Sequence, residues 1–151
     1  MLGDVLADAV RHAQSTADGV TLRLLDAQVL DGVVVTGNDD YLKQLFLILL
    51  DNAVKYSGPG KEVRIEPEVK GGAIRISIID QGAGIDPLDL PYIFDRFYRG
   101  RNTSGVTGTG LGLAIARWVV DQHGGGIEVD NAPGRGARFT VLLPYGTASG
   151  A

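Results

Sequence analysis

The chain has 151 residues, a formal net charge of −4 and no cysteine. That length makes one domain with room for a sizeable core, the acidic balance argues against a nucleic-acid footprint, and the missing cysteines exclude a disulfide framework, thiol chemistry and a cysteine-ligated metal. The apolar share, 44%, is ordinary for a globular protein, the longest apolar run (Leu45 to Leu50) is far too short to span a bilayer, and no charged-then-apolar leader marks a signal peptide, so a soluble cytoplasmic domain is expected.

Leu2, Val5, Leu6, Ala9, Val10 and Ala13 recur at helical spacing, which predicts an amphipathic helix over residues 2–14. Gly19 breaks it, and Thr21 to Leu25 reads as a short strand. Asp31-Gly32 is a turn signal leading to a second strand, Val33 to Val35. Asn38-Asp39-Asp40 suits a helix start, with a capping side chain and acids placed to meet the dipole. The helix is predicted from about Tyr41 to Tyr56, with Leu42, Leu45, Phe46, Leu49 and Ala53 as its buried stripe. Asn52 and Lys55 share one face, and Tyr56 lies one turn from Asn52. An amide oxygen can ligate a hard cation such as Mg²⁺. A lysine one turn on can meet phosphate, and a tyrosine can pack against a ring. Taken alone, the same residues are a solvated last turn, with Lys55 stabilising the helix C-terminus.

Ser57 to Gly60 ends that helix. Residues 62–69 alternate, with Val63, Ile65 and Val69 inward and Glu62, Arg64, Glu66 and Glu68 outward, and Pro67 points to an edge strand or a bulge. Gly71-Gly72 makes a tight hairpin into Ala73 to Asp80. That segment begins by alternating and then turns wholly apolar, the pattern of a strand running into the core. It ends in Asp80-Gln81-Gly82-Ala83-Gly84. A carboxylate only accepts hydrogen bonds, so it suits an exocyclic amine such as adenine's. The glycines let a flat ring approach the main chain. Taken alone, this is a strand followed by a Gly-rich turn with a solvated Asp.

Next come Phe94-Asp95-Arg96-Phe97-Tyr98-Arg99 and a polar, Gly-containing run over residues 100–107, read as a mobile lid across a nucleotide pocket. Gly108-Thr109-Gly110-Leu111-Gly112 then leads into Leu113 to Val120, which reads as a buried helix. Glycines ahead of a helix expose its first amides, and the dipole adds positive potential, which together make a phosphate seat. It is not the dinucleotide fingerprint, because Leu113 stands where the third glycine would fall. Nor is Gly60-Lys61 a phosphate loop, because Lys55 stands where its first glycine should be. The alternative here is a flexible hinge before a helix. His123-Gly124-Gly125-Gly126 is a helix stop, and His12 and His123 read as surface or packing residues, not catalysts. Ile127 to Asp130 and Ala137 to Leu143 form a last hairpin through Pro133 to Gly136, and residues 145–151 read as a flexible tail. The order α-β-β-α-β-β-lid-α-β-β, dominated by hairpins, predicts an α/β (α+β) two-layer sandwich with helices on one face of a mixed sheet.

Four stretches in this order carry a resemblance: Asp51-Asn52-Ala53-Val54-Lys55-Tyr56, Asp80 to Gly84, Phe94 to Arg99, and Gly108 to Leu113. Together they resemble the catalytic ATP-binding domain of bacterial sensor histidine kinases, in the GHKL (HATPase) superfamily, over roughly residues 38–143. The resemblance implies a Bergerat-type fold: a mixed five-stranded sheet, three main helices on one face and an ATP lid. It implies a single ATP-binding domain over 1–151, with a core of about 20–144 behind an N-terminal helix at 1–18. The implied cofactors are ATP and Mg²⁺.

By the same resemblance, Asp80 would read the adenine amine, while Gly82, Gly84 and Ile85 shape the base pocket. Asn52 would hold Mg²⁺, Lys55 would contact phosphate and Tyr56 would line the nucleotide. Arg96 and Arg99 would reach phosphate when the lid closes, and Gly108, Thr109, Gly110, Leu111 and Gly112 would present the phosphate seat. Thr140 would support the adenine contact. Asn52, Lys55 and Arg99 would be the catalytic group, transferring the γ-phosphoryl group of ATP to a histidine. The implied partner is a histidine-bearing helical dimerisation domain, in the same parent protein or a separate chain, with a response regulator acting indirectly. No nucleic acid or membrane contact by the domain itself is implied; any membrane anchor belongs to the parent kinase or its partner.

Two departures from the family pattern matter. Ile48 stands where the family carries a second asparagine and its hydrolysing relatives a glutamate base, which argues against efficient ATP hydrolysis and weakens the metal site. The acceptor histidine of the family is followed by an acid, whereas this chain has only His12-Ala13-Gln14 and His123-Gly124-Gly125. The phosphoacceptor is therefore expected elsewhere. The alternatives are a degenerate nucleotide-binding regulatory module and another GHKL enzyme, an anti-sigma serine kinase or an ATPase.

Overall fold

Every second residue of the central strands is apolar, and every third or fourth residue of the helices, so the chain folds as two layers. A computed structural model describes residues 1–17, 19–58, 60–82, 88, 93–94, 112–131 and 136–147. Helix α1 (Leu2–Thr16) buries Leu2, Leu6, Ala9 and Ala13. It is followed by β1 (Thr21–Leu24), a 3₁₀ turn (Ala27–Leu30) that the sequence pattern did not signal, and β2 (Val33–Val34). Helix α2 (Asp39–Ser57) buries the expected stripe together with Leu50 and Ser57. The Asn38 side chain caps it, accepting from the Tyr41 N–H at 3.0 Å. Strands β3 (Glu62–Lys70) and β4 (Ala73–Ile79), helix α3 (Gly112–Gln122), and strands β5 (Gly126–Asn131), β6 (Ala137–Pro144) and β7 (Gly146–Thr147) complete the chain.

The main sheet has the order β1-β3-β4-β6-β5, with β1 and β3 parallel and the other pairs antiparallel. This is the mixed five-stranded sheet and three-helix, two-layer fold that the resemblance implied. Register places Ile65 opposite Ile78, Ile76 opposite Val141 and Ile78 opposite Phe139. These residues are buried against the helices. The other face carries charge in pairs: Arg23 with Glu62, Arg75 with Glu128, Arg138 with Asp130.

Pro67 acts as its edge signature suggested. The β1–β3 ladder closes with the Leu25 N–H donating to the Ile65 carbonyl at 2.9 Å. The next donor in that parallel register would be the nitrogen of Pro67, which carries no hydrogen. So β3 outruns β1, and its last residues form an edge.

Two expectations change. The tail reading of 145–151 gives way at its start, because Gly146 and Thr147 pair with Val34 and Val33 as a second, two-stranded sheet. Helix α3 is not buried all round. Ile115 and Trp118 are 43% and 49% exposed, and the Trp118 ring meets Tyr41 edge-on at 5.7 Å between centroids. Its apolar run was continuous in sequence, but only Ala116, Val119 and Val120 face the core fully. The helix ends as its glycines require: Gly124 takes φ +69°, and the Gly125 N–H donates to the Val120 carbonyl at 3.0 Å. Among the described residues no helix is long and apolar enough to cross a membrane.

Candidate functional site

The site is built where β4 ends. The ladder to β6 continues past Ile79, with the Asp80 N–H donating to the Ala137 carbonyl at 3.0 Å. That register sets Asp80 on the helix-facing side, where it is only 2% exposed. Its Oδ1 accepts the Gly82 N–H at 2.9 Å and the Ala137 N–H at 3.1 Å. The Gly136 N–H donates to the Asp80 carbonyl at 3.2 Å. Burial pushes the Asp80 carboxyl above its ordinary value, and the two amide donors pull it partly back. Among the described residues the hydrogen bonds to this carboxyl fall on Oδ1. Oδ2 is thus left for a donor from outside, in a dry site where such a bond is strong.

Two glycines make this geometry possible. A Cβ on Gly82 would run into the Tyr56 carbonyl oxygen at the end of α2. A Cβ on Gly136 would run into Asp80 Oδ1 and would come within 2.6 Å of the Gly82 nitrogen. Gly82 was expected at the site. Gly136 was read only as part of a hairpin, and its role depends on the β4–β6 pairing.

Helix α2 supplies the second wall. Its C-terminal residues are locked to the loop after β4: Ser57 Oγ accepts the Gln81 N–H at 3.0 Å, beside the Tyr56–Gly82 contact. Asn52 and Tyr56 are half-buried one turn apart on this helix. Lys55 holds Asp51 at 3.1 Å, with the two side chains 40% and 61% exposed. An exposed pair of this kind is worth below about 1 kcal/mol, so the ammonium can turn to a phosphate at little cost. The third wall is the first turn of α3, where a Cβ on Gly112 would lie 3.4 Å from Ile48 Cγ2. Ile48 therefore sits against the expected phosphate seat with an aliphatic side chain.

The structure thus brings Tyr56 and Gly82 together beside Asp80 and sets Gly112 against Ile48 on α2, the helix that also carries Asn52 and Lys55. It separates Thr140 from them. Thr140 pairs with Ser77 in the β4–β6 register, with its hydroxyl 3.4 Å from Ser77 Oγ. That is the sheet face away from Asp80, and three residues along β6 from Ala137, or about 10 Å at the strand rise. The expected support of the adenine contact by Thr140 is corrected: β6 reaches Asp80 through the Ala137 main chain. Gly84, Ile85, Arg96, Arg99, Gly108, Thr109, Gly110 and Leu111, with the lid at 100–107, lie outside the described residues. Of the aromatic box only Phe94 is described, with Ile93 just before it. Ile93 is buried and the Phe94 ring meets Phe139 edge-on at 6.2 Å.

His12 lies away from Asp80, in a cavity of about 250 Å³ between α1 and α2 that is also lined by Gln44, Ile48 and Asp51. Among the described residues no group of three or more His, Cys, Asp or Glu side chains could hold a metal ion. A divalent cation here would therefore depend on Asn52, phosphate oxygens and water, which is compatible with the water-rich coordination of Mg²⁺.

Comparison with known proteins agrees with this geometry. Residues 37–147 match the family described as histidine kinase-, DNA gyrase B-, and HSP90-like ATPase. The sensor protein KdpD of Escherichia coli (strain K12) is 45% identical over 106 residues, covering 70% of this chain and 12% of KdpD. The mycobacterial sensor histidine kinase MprB superposes with a TM-score of 0.84 at 29% identity, covering 95% of each chain. Full-length ShkA in complex with AMPPNP superposes with a TM-score of 0.78 at 26% identity, covering 98% of this chain and 31% of that one. The chain thus corresponds to a small part of its longer relatives.

Proposed function

The chain belongs to the histidine kinase-, DNA gyrase B- and HSP90-like ATPase family, as a sensor histidine kinase catalytic domain, and from that premise we propose that it binds ATP with Mg²⁺ and donates the γ-phosphoryl group to a histidine on a separate dimerisation domain in two-component signalling. The observation that carries the reading is Asp80: a buried carboxylate, held on Oδ1 by two main-chain amides, with Oδ2 available.

Asp80 accepts from the exocyclic amine of adenine. Gly82 lets the base approach the main chain, and Tyr56 packs along the nucleotide. Lys55 leaves Asp51 to meet phosphate, and Asn52 ligates Mg²⁺ by its amide oxygen. The amides at Gly112 and the glycines before it receive the phosphates, and Arg96 and Arg99 neutralise the transferring group. ATP supplies the transferable phosphoryl group; the protein's part is in-line positioning and charge neutralisation. The acceptor is a histidine of a helical dimerisation domain, with a response regulator downstream. The domain works on the cytoplasmic side.

The deciding experiment mixes the chain with γ-labelled ATP and the parent kinase's histidine-bearing dimerisation domain. Acid-labile, alkali-stable label on that domain, lost when its histidine is changed to glutamine, is the expected result. Ile48 favours a second reading, a nucleotide-binding module that regulates a partner without transferring phosphate, because isoleucine can neither ligate metal nor orient water. ATP binding without any transfer to the dimerisation domain would establish that reading instead.

A further inference from the structure

The loop after Asp80 is tied to α2 and to β3 by two side chains, those of Ser57 and Gln81. Ser57 is 9% exposed at the last position of α2, and its Oγ accepts the Gln81 N–H at 3.0 Å. The Gln81 side chain reaches the other way: its Oε1 accepts the Glu62 N–H at 2.7 Å, at the first residue of β3. One residue, Gln81, therefore ties the end of α2 and the start of β3 to the turn between Asp80 and Gly82. The next residue packs its Cα against the Tyr56 carbonyl and donates its N–H to Asp80 Oδ1.

We infer that Ser57 and Gln81 are positioning residues that set base selectivity: they hold the Gly82 amide, and through it the Asp80 carboxylate, at a fixed distance from the helix that carries Asn52, Lys55 and Tyr56. The inference rests on the nucleotide reading of the site. Its physical basis is that the part-buried Gln81 N–H is left without a partner when the Ser57 hydroxyl is removed, while the exposed Gln81–Glu62 bond acts as a tether that holds the turn to the start of β3. A carboxylate that shifts by a fraction of a hydrogen-bond length loses the adenine amine while leaving phosphate contacts intact.

The test is calorimetric titration of ATP and GTP into the wild-type chain, Ser57→Ala, Ser57→Thr and Gln81→Ala, with the melting temperature of each recorded. GTP places a carbonyl where adenine has its amine, so it gains nothing from Asp80. Loss of one such hydrogen bond should weaken ATP binding by about tenfold in Ser57→Ala and in Gln81→Ala. GTP binding should stay unchanged, so the ATP-over-GTP ratio narrows, and Ser57→Thr should restore it. Gln81 is an exposed residue, so its truncation keeps the test available if Ser57→Ala does not fold. An unchanged ratio in the alanine variants, even with lowered melting temperatures, would overturn the inference alone and leave only a structural role. No ATP binding by the wild-type chain would overturn the site reading, and the inference with it.

Discussion

Asp80 carries two opposing demands. In the proposed role its carboxylate accepts the adenine amine, yet burial disfavours its charge. The folded pKa lies above the ordinary value of 3.8, so the folded state holds the proton more tightly than the unfolded chain. For this group, stability is greatest below 3.8 and is lost as pH rises through the folded value, leaving Asp80 a cost at neutral pH. Asp80→Asn should therefore melt no lower than the wild type at pH 7, while its new NH₂ faces the adenine amine donor to donor. ATP affinity should fall at least ~100-fold, the scale of a site left with an unpaired buried polar contact. Titration calorimetry and thermal melting on the same samples check both halves, and intact affinity would remove the adenine-reading role. Acidification should weaken ATP binding of the wild type from a pH above the ordinary carboxylate range. Gly136 makes the complementary case. Gly136→Ala drives a methyl group into Asp80 Oδ1, so it should lower both the melting temperature and ATP affinity, by about 1–3 kcal/mol of stability.

Among the elements, α2 and α3 are joined at the end far from Asp80. His123 lies at the C-terminus of α3, with Nδ1 2.7 Å from the Val119 carbonyl and Nε2 accepting the Asn38 N–H at 3.1 Å. Nε2 thus serves as the acceptor, which assigns the Nδ1 position as the donor to the Val119 carbonyl. Gly37 packs so closely that a Cβ there would enter the imidazole ring. With the Tyr41–Trp118 contact, this fixes the angle at which α3 brings Gly112 against Ile48, at the proposed phosphate seat. His123→Ala should cost about 1 kcal/mol, or roughly 2–4 °C in melting temperature for a chain of this size. An unchanged melting temperature would show that the bridge carries no weight. A helix stop was legible at His123-Gly124, but its bond to Asn38, 85 residues away, was not.

At the scale of the whole molecule, ligand and fold are linked by mass action. ATP at 100 times its dissociation constant should stabilise the chain by about 2.7 kcal/mol. A clear rise in melting temperature with ATP, and little rise with GTP at the same concentration, is the expected result; equal responses would show that the base is not read. Steady-state hydrolysis by the isolated chain should be slight, because the Ile48 side chain, which lies against Gly112, is aliphatic and cannot orient water. Robust turnover in a phosphate-release assay would refute that.

The alternating strands, the helical stripes, the Asn38 cap and the glycine-flanked Asp80 were all readable in the sequence, because periodicity and capping are properties of neighbouring residues. The four stretches shared with histidine kinases named the family for the same reason: each is local. What only the tertiary structure decided is which strand residue meets Asp80. That depends on the register of β4 against β6, across 57 residues, and in a strand a shift of one residue exchanges the two faces. Thr140 was therefore given a contact that its face of the sheet does not reach. Gly136, Ala137 and Ser57 went unassigned, because their roles come from close approach between segments distant in the chain, and local pattern does not encode that.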